Sequence, residues 1–165
     1  MSNLPKSIDF LVYKGMVDYI SQLQKSIYHI NGEKPLRRDF KLRKINEKEQ
    51  RELLLPLVVK IQDLTENERD QIRIAVSLVQ EIPYEVSGRN VTIGLKQINY
   101  SRYAYESLYE MKGACEGKSE LLVFLLKEMG YGVVLFYYPF EDHEAIGIKC
   151  PLEDSSYNSG YCFVE

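Results

Sequence analysis

The segment that most constrains the fold is Leu121–Leu126, which reads LLVFLL and is the core of a predicted helix. This helix begins near Cys115 and is stopped by Gly130, a residue type that favours helix C-termini. Three predicted strands follow it: Gly132–Pro139, His143–Cys150 and Tyr161–Glu165. A helix followed by strands joined through turns can fold back, so residues far apart in the sequence can meet.

The earlier part of the chain changes character near Asn46. We predict an N-terminal, strand-rich extension over residues 1–45 and a core domain over residues 46–165, which together form a single compact unit. In the extension, Phe10–Tyr13 has strand-forming residues, and Asp39–Ile45 alternates enough to predict an edge strand.

Two helices are predicted at the start of the core domain. Asn46 is a suitable cap for the first, and Pro56 is expected to break or kink it. Thr65 and Glu68 have the spacing of a capping box for the second helix, which Pro83 ends.

Composition excludes several classes of function. The 165 residues include 21 basic and 24 acidic side chains, a net charge of −3 that disfavours nucleic-acid binding. No apolar run approaches the roughly 18 residues needed to span a bilayer. The first residues do not resemble a signal peptide, which suggests a cytoplasmic protein if this N-terminus is native. With two histidines, three cysteines and no CxxC or HExxH motif, we expect no metal site and no cofactor.

Cys115 is the candidate nucleophile. A helix N-terminus carries partial positive charge and free N–H groups, which favour a thiolate and can also stabilise an oxyanion. Gly113 and Gly117 flank the cysteine and are expected to leave room for a substrate. His143 is the candidate general base, and Glu165, on the next strand, is the candidate group that orients it. Equally, a cysteine at the start of an apolar helix can simply be a small buried residue.

The other two cysteines provide a test of the strand register. If His143 faces Glu165 in an antiparallel pair, Cys162 faces Ile146 rather than Cys150. We therefore predict that Cys150 and Cys162 are reduced. A disulfide between them in regular strands would argue against the triad.

These residues together resemble the transglutaminase-like superfamily, specifically its microbial domains, from about Tyr84 to Glu165. The family opens its catalytic helix with a Gly-x-Cys segment, matched by Lys112–Tyr131, which reads KGACEGKSELLVFLLKEMGY. An Ile-Pro-Tyr lead-in, a histidine strand and an aromatic-x-Glu strand also have counterparts, in Ile82–Tyr84, His143–Ile148 and Tyr161–Glu165. The sequence departs from the family pattern at Ala114 and Glu144.

The resemblance implies an α+β fold with a papain-like, transglutaminase-like core, in which the catalytic helix packs on an antiparallel β-sheet. It implies acyl transfer on a peptide or protein amide through a thioester, with a Cys115–His143–Glu165 triad. Water as acceptor would make the protein a protease or amidase, and an amine would make it a transglutaminase; the residues do not decide between them. The alternatives are a non-catalytic binding module with the same fold and a purely structural domain. The oligomeric state is not predicted.

Two further features of the sequence each allow two interpretations. The tyrosines before Cys115, among them Tyr103, Tyr105 and Tyr109, either pack in the core or line a substrate groove, and Tyr109 is also a weak candidate oxyanion donor. The basic residues of the segment Arg37–Lys44 either meet an acidic partner or guard a solvated edge strand.

Overall fold

The computed structural model describes residues 7–25, 36–85, 89–93 and 96–164. Within these residues the chain forms six α-helices, a two-stranded hairpin and a three-stranded antiparallel sheet, so the fold is α+β. The helices are α1 (Lys14–Ser21), α2 (Arg37–Ile45), α3 (Lys48–Leu64), α4 (Glu68–Gln80), α5 (Ala104–Glu110) and α6 (Cys115–Glu128). The strands are β1 (Arg89–Ile93), β2 (Lys96–Tyr100), β3 (Val133–Tyr138), β4 (His143–Lys149) and β5 (Tyr161–Val164).

Helix α6 is the centre of the structure. Leu121, Phe124, Leu125 and Leu126 are completely buried, because α6 packs against α2, α3, α4 and α5 and against strands β3 and β4. A helix that is apolar on nearly every side is stable only when other elements cover all of it. The helix predicted from LLVFLL is thus the element around which the others assemble, and its N-terminus carries Cys115.

The described residues of the N-terminal region contain the helices α1 and α2 and no strand, which corrects the prediction of a strand-rich extension for this part. Asp39–Ile45 lies in α2 rather than in an edge strand, and Phe10–Tyr13 belongs to no strand. In α2 the side chains of Phe40, Lys41 and Lys44 are buried together on one face. Their sequence spacing fits a helix once the two lysines count as inward-facing residues. The partial alternation of polar and apolar residues was therefore misleading.

Pro56 does not interrupt α3, which runs without a break from Lys48 to Leu64. Pro56 is exposed, so the carbonyl group that loses its intrahelical donor can bind water. Leu54 and Leu57 on the buried side hold both halves of the helix against the core. Packing therefore outweighs the local cost of the proline.

The cap of α4 is Asn67, two residues beyond the predicted Thr65. The Asn67 side chain accepts a hydrogen bond of 3.1 Å from the backbone N–H of Asp70. Thr65 instead ends α3, and its hydroxyl accepts a hydrogen bond of 3.1 Å from the Asn67 N–H.

The three-stranded sheet has the order β3-β4-β5, and both pairs are antiparallel. Tyr138 and His143 are opposite each other at the turn between β3 and β4. On the other side of β4, Ile148 is opposite Cys162 and Ile146 is opposite Val164. The observed β4–β5 register is therefore two residues away from the predicted one. A shift by an even number leaves the faces of the strands unchanged.

Cys150 and Cys162 form a disulfide, so the prediction that both are reduced is wrong. Their Cα atoms are 5.8 Å apart, with an S–S distance of 2.12 Å. The bond runs diagonally, because the Cys150 N–H donates to Gly160 O (3.0 Å) while Cys162 is opposite Ile148. The prediction of free thiols assumed that bonded cysteines are directly opposite each other, whereas these two are offset along the strands. The predicted β4–β5 register, in which Glu165 faces His143, is therefore not the observed one.

Candidate active site

Cys115 is the first residue of α6, and its side chain is half-buried. It is a free thiol, unlike the two cysteines of the disulfide. The N-terminal residues of a helix have backbone N–H groups without intrahelical acceptors. The structure thus places Cys115 at the start of the central helix, as predicted, and of the three cysteines, all within the described residues, Cys115 is the free one.

His143 is the first residue of β4 and is half-buried. Its ring stacks on that of Tyr138, with centroids 6.3 Å apart and an interplanar angle of 27°. The Nε2 atom is shielded from solvent. The stacking restricts the rotation of the imidazole, which a positioned general base requires.

Cys115 and His143 line the same pocket, which has a volume of about 190 Å³. The pocket lies between the C-terminal end of α4, the first two turns of α6 and strands β4 and β5. Its other walls are largely aliphatic, and they come from Val79, Gln80, Tyr84, Lys118, Ser119, Leu122, Glu144, Ala145, Ile146 and Val164. Cys115 and His143 are 28 positions apart in the sequence, and the fold brings them to one site.

Tyr84, the last residue of the Ile-Pro-Tyr segment, is a further residue of the site. Gly113 holds this segment beside α6: its N–H donates to Pro83 O and its carbonyl accepts from the Glu85 N–H, both at 3.2 Å. Tyr84 lines the pocket together with Cys115. Burial raises the pKa of Tyr84, the Cys115 side chain raises it further, and the Cys115 backbone opposes the shift in part.

The two glycines around Cys115 serve helix packing, which corrects the expectation that they leave room for a substrate. A Cβ atom at Gly117 would lie 2.4 Å from Ser107 Oγ on α5. One at Gly113 would lie 2.9 Å from Lys118 Cγ. The absence of a side chain at Gly117 permits the close approach of α5 and α6, and its absence at Gly113 leaves space for the Lys118 side chain.

The basic segment of α2 meets acidic residues of its own chain, so neither of the two predicted interpretations holds. Six charged side chains, here called the α2 ion cluster, lie together on one side of the site: Arg37, Lys41, Lys44, Glu116, Glu120 and Glu144. Lys41 Nζ is 2.7 Å from Glu120 Oε1, and Lys44 Nζ is 2.9 Å from Glu120 Oε2.

The pKa values in this cluster follow burial and charge. Burial opposes the charge of Lys41, but Glu120, Glu144 and Glu116 outweigh burial and raise its pKa. Burial likewise disfavours ionisation of Glu116, yet Lys41 and Lys44 lower its pKa to about 2. For Lys44, which is completely buried, burial dominates and lowers the pKa.

Two polar side chains connect α6 to its surroundings beside the pocket. Ser119 Oγ donates a hydrogen bond of 3.3 Å to the carbonyl oxygen of Glu144 on β4. Lys118 Nζ donates one of 2.7 Å to the carbonyl oxygen of Ile82, and burial lowers its pKa. Both contacts hold the first two turns of α6 against the elements that carry His143 and Tyr84.

Two predicted candidates are not part of the described pocket. Glu165 lies outside the described residues, and Tyr109 is not among the residues that line the pocket. Tyr103 and Tyr105 are buried, which favours packing over a groove for these two. The Tyr105 hydroxyl accepts a hydrogen bond of 2.7 Å from the Tyr13 N–H, and the Tyr103 hydroxyl donates one of 3.0 Å to Gln24 O.

Comparisons with protein-family models, with curated proteins and with solved structures found no match to this chain. Among the residues that the structure describes, no helix combines the length and the apolar character needed to cross a bilayer. The same part of the chain has no group of three or more His, Cys, Asp or Glu side chains that could hold a metal ion. The chemistry of the site is therefore inferred from its own residues.

Proposed function

We propose that this protein is a cysteine-dependent acyl hydrolase or acyltransferase with a papain-like, transglutaminase-like core, acting on peptide or protein amides through a thioester. The observation that carries the proposal is that Cys115, at the start of α6, and His143, at the start of β4, line one pocket. A thiol nucleophile and an imidazole base brought together by a helix N-terminus and a strand are the components that such chemistry needs.

In the proposed reaction, the Cys115 sulfur attacks the amide carbonyl carbon while His143 accepts the thiol proton. The resulting oxyanion collapses, the C–N bond breaks, and His143 gives its proton to the leaving amine. The thioester is then attacked by water or by a second amine, whose proton passes to His143. Cleavage of the C–S bond releases the product, and the proton returns to the sulfur. Glu165 stays the sequence-based candidate for orienting the imidazole.

Tyr84 is assigned a role at the oxyanion. It lines the pocket beside Cys115, where the carbonyl group of a bound substrate would lie. When the substrate binds, the phenol O–H can donate to the developing negative charge, as oxyanion donors do. The aliphatic walls formed by Val79, Leu122, Ile146 and Val164 suit an apolar side chain next to the reacting carbonyl.

Alkylation of the thiol tests the proposal without a known substrate. We expect iodoacetamide to label Cys115 of the native protein at least about tenfold faster than the same residue of the unfolded chain. His143→Ala should remove most of this difference, because the thiol loses its base. The matched control is His143→Gln, which keeps polar atoms in the pocket but cannot accept the proton at neutral pH. Slow labelling that His143→Ala leaves unchanged would overturn the proposal.

A panel of peptide amides then separates hydrolysis from transamidation. Each amide is incubated with and without a primary amine, and products are identified by mass spectrometry. Cys115→Ser, with nearly the same volume, is the control for both reactions. Products that form equally with Cys115→Ser would also contradict a thioester route.

The second candidate function is a non-catalytic binding module. The observation that favours it is that the Tyr84 side chain shares the small pocket with Cys115 and takes up part of the space beside the thiol. A binding module would show uniformly slow labelling of Cys115 and no product from any amide. It would still bind a peptide with affinity that Cys115→Ser leaves unchanged.

A further inference from the structure

Two cations of α2 connect the residues that directly follow the proposed catalytic pair. Glu116 follows Cys115, and Glu144 follows His143. Arg37 Nη2 lies 2.7 Å from Glu116 Oε1 and 2.5 Å from Glu144 Oε1. Lys41 Nζ is 3.1 Å and 3.0 Å from the same two oxygen atoms. Arg37 and Lys41 thus each form an ionic bridge between the start of α6 and the start of β4.

We propose that Arg37 and Lys41 are positioning residues that fix Cys115 relative to His143; this inference rests on the proposed function. A displacement of α6 from β4 would separate carboxylates from their cations. The Glu144 and Lys41 side chains are 1% and 6% exposed. Water cannot replace lost partners there without opening the structure, so such a displacement is costly. The bridges therefore restrict the distance between the thiol and the imidazole.

The site of Arg37 is built to hold its guanidinium in one place. Besides its two carboxylates, the group lies over the ring of Tyr137 on β3, with the guanidinium carbon 3.7 Å from the ring centroid. Guanidinium groups combine bidentate ion pairing with stacking on aromatic faces, whereas an ammonium group offers only a point charge. Arg37 thus connects α2 with α6, β4 and β3.

The cluster joins three elements through opposite charges. Three basic side chains of α2, Arg37, Lys41 and Lys44, face three acidic ones, Glu116 and Glu120 of α6 and Glu144 of β4. Groups held by several partners resist displacement, and catalytic rates are very sensitive to misplacements of about 1 Å.

Arg37→Met is the primary test, measured as the rate of Cys115 alkylation by iodoacetamide. The Arg37 side chain is 32% exposed, so its removal is less damaging to folding than a fully buried change. We expect the rate to fall about tenfold or more. Arg37→Lys should recover part of it, because one charge still bridges the two carboxylates.

The matched control is Arg51→Met, because Arg51 pairs with Glu128, which is at the end of α6 opposite Cys115. Arg51 Nη2 is 2.7 Å from Glu128 Oε2, and the pair is remote from Cys115. We expect the alkylation rate of this variant to stay within about twofold of the wild-type value, since exposed pairs contribute little. A fall as large as that of Arg37→Met would overturn the positioning role.

A double-mutant cycle with His143→Ala separates positioning from general loss of structure. If Arg37 acts through the thiol–imidazole geometry, Arg37→Met should have little further effect once His143 is absent. Equal effects in both backgrounds would overturn the inference. If Arg37→Met does not fold, Glu116→Gln, which removes a partly exposed carboxylate from the same bridge, takes its place in the cycle.

The outcomes distinguish this inference from the proposed function. A wild-type rate that His143→Ala leaves unchanged contradicts the proposed function and the positioning role together. A wild-type rate that depends on His143, but that Arg37→Met and Glu116→Gln leave unchanged, overturns the positioning role alone.

Discussion

Tyr84 lies beside Cys115, the first residue of α6, and both residues line the same pocket. Tyr84 follows Pro83, which ends the α4 segment, and is held by the backbone bonds between Gly113 and residues 83 and 85. The proposed nucleophile therefore touches an element that lies about 30 positions earlier in the chain. Because Tyr84 is ionisable, this contact can be observed by titration.

Replacing Cys115 by alanine should lower the pKa of Tyr84. Burial raises this pKa first, the Cys115 side chain adds to it, and the Cys115 backbone opposes it in part. Alanine removes only the contribution of the Cys115 side chain, so the pKa should fall. The measurement is the ring-carbon chemical shift of labelled tyrosine against pH, with Tyr84→Phe to assign the signal.

Tyr131 is the internal control for that titration. Burial, followed by the charge of Glu68, raises its pKa without any involvement of Cys115. Its curve should be the same in both proteins. A Tyr84 curve that does not move when the thiol is removed would show that the two groups are not in contact.

Glu116→Gln should make the protein less sensitive to acid. In the folded protein the pKa of Glu116 is about 2, against an ordinary value of 4.5, because Lys41 and Lys44 outweigh burial. A carboxyl whose pKa is lowered by folding contributes stability above its unfolded pKa and loses it as the pH falls through the folded one. The loss, roughly 3 kcal/mol for a shift of this size, should fall between about pH 4.5 and pH 2.

The measurement is the free energy of unfolding in urea at several pH values from 6 down to 2. The wild-type curve should be steeper in that window than the curve of Glu116→Gln. Glu52→Gln, on the exposed side of α3, is the matched control and should follow the wild type. Parallel curves for all three proteins would contradict the predicted coupling.

Removing the disulfide should destabilise the protein without changing the proposed site. Cys150 and Cys162 are separated by 12 positions in the sequence. Closing a loop of this length contributes about 3 kcal/mol in the chain-entropy description. We expect the double variant Cys150→Ser/Cys162→Ser to lose roughly that amount in urea unfolding, with the alkylation rate of Cys115 little changed.

Cys115→Ser is the control for that experiment, because it removes a cysteine of the same chain that is not in the bridge. Its free energy of unfolding should remain close to the wild-type value. Mass analysis of a digest made without reductant should show the peptides of Cys150 and Cys162 linked. Unlinked peptides from freshly folded protein would rule out the bond.

Gly117→Ala should destabilise the packing of α6 on α5. The new Cβ would lie 2.4 Å from Ser107 Oγ, and Ser107 is completely buried. We expect overpacking to cost about 1–3 kcal/mol, more than the roughly 1 kcal/mol that alanine adds to helix propensity. Thermal and urea unfolding measure the difference.

Ser107→Ala in the same chain should recover part of the loss, because it removes the atom that clashes. Gly15→Ala in α1 is the matched control, since a Cβ there meets nothing within 4 Å. That substitution should be neutral or slightly stabilising. If Gly117→Ala is as stable as Gly15→Ala, the close approach of α5 and α6 does not require a glycine at position 117.

The part of the fold that follows Cys115 could be predicted because its signals are local. The run LLVFLL, the glycine after the helix and the apolar strands bring α6, β3 and β4 close to their predicted bounds. Those elements carry Cys115 and His143, so these two residues could be found from sequence. Local patterning is informative where burial and secondary structure agree.

The rest could not be predicted because it depends on distant partners. Lys41 and Lys44 of α2 are buried only because carboxylates 75 to 103 positions later surround them. The same is true of the β4–β5 register, which a diagonal disulfide accompanies, and of Tyr84, which is a site residue only because Gly113 holds its backbone. None of these contacts leaves a periodic pattern in its own segment.

The α2 ion cluster also has a consequence for how the chain reaches its folded state. During synthesis Arg37 is made first, and its partners Glu116 and Glu144 follow 79 and 107 residues later. Until then the side chains of Arg37 and Lys41 lack these partners and stay hydrated. Contacts of such long sequence separation have a large loop-closure cost, which slows folding. The ion pairs that join α2 to α6 and β4 therefore require a chain synthesised through residue 144.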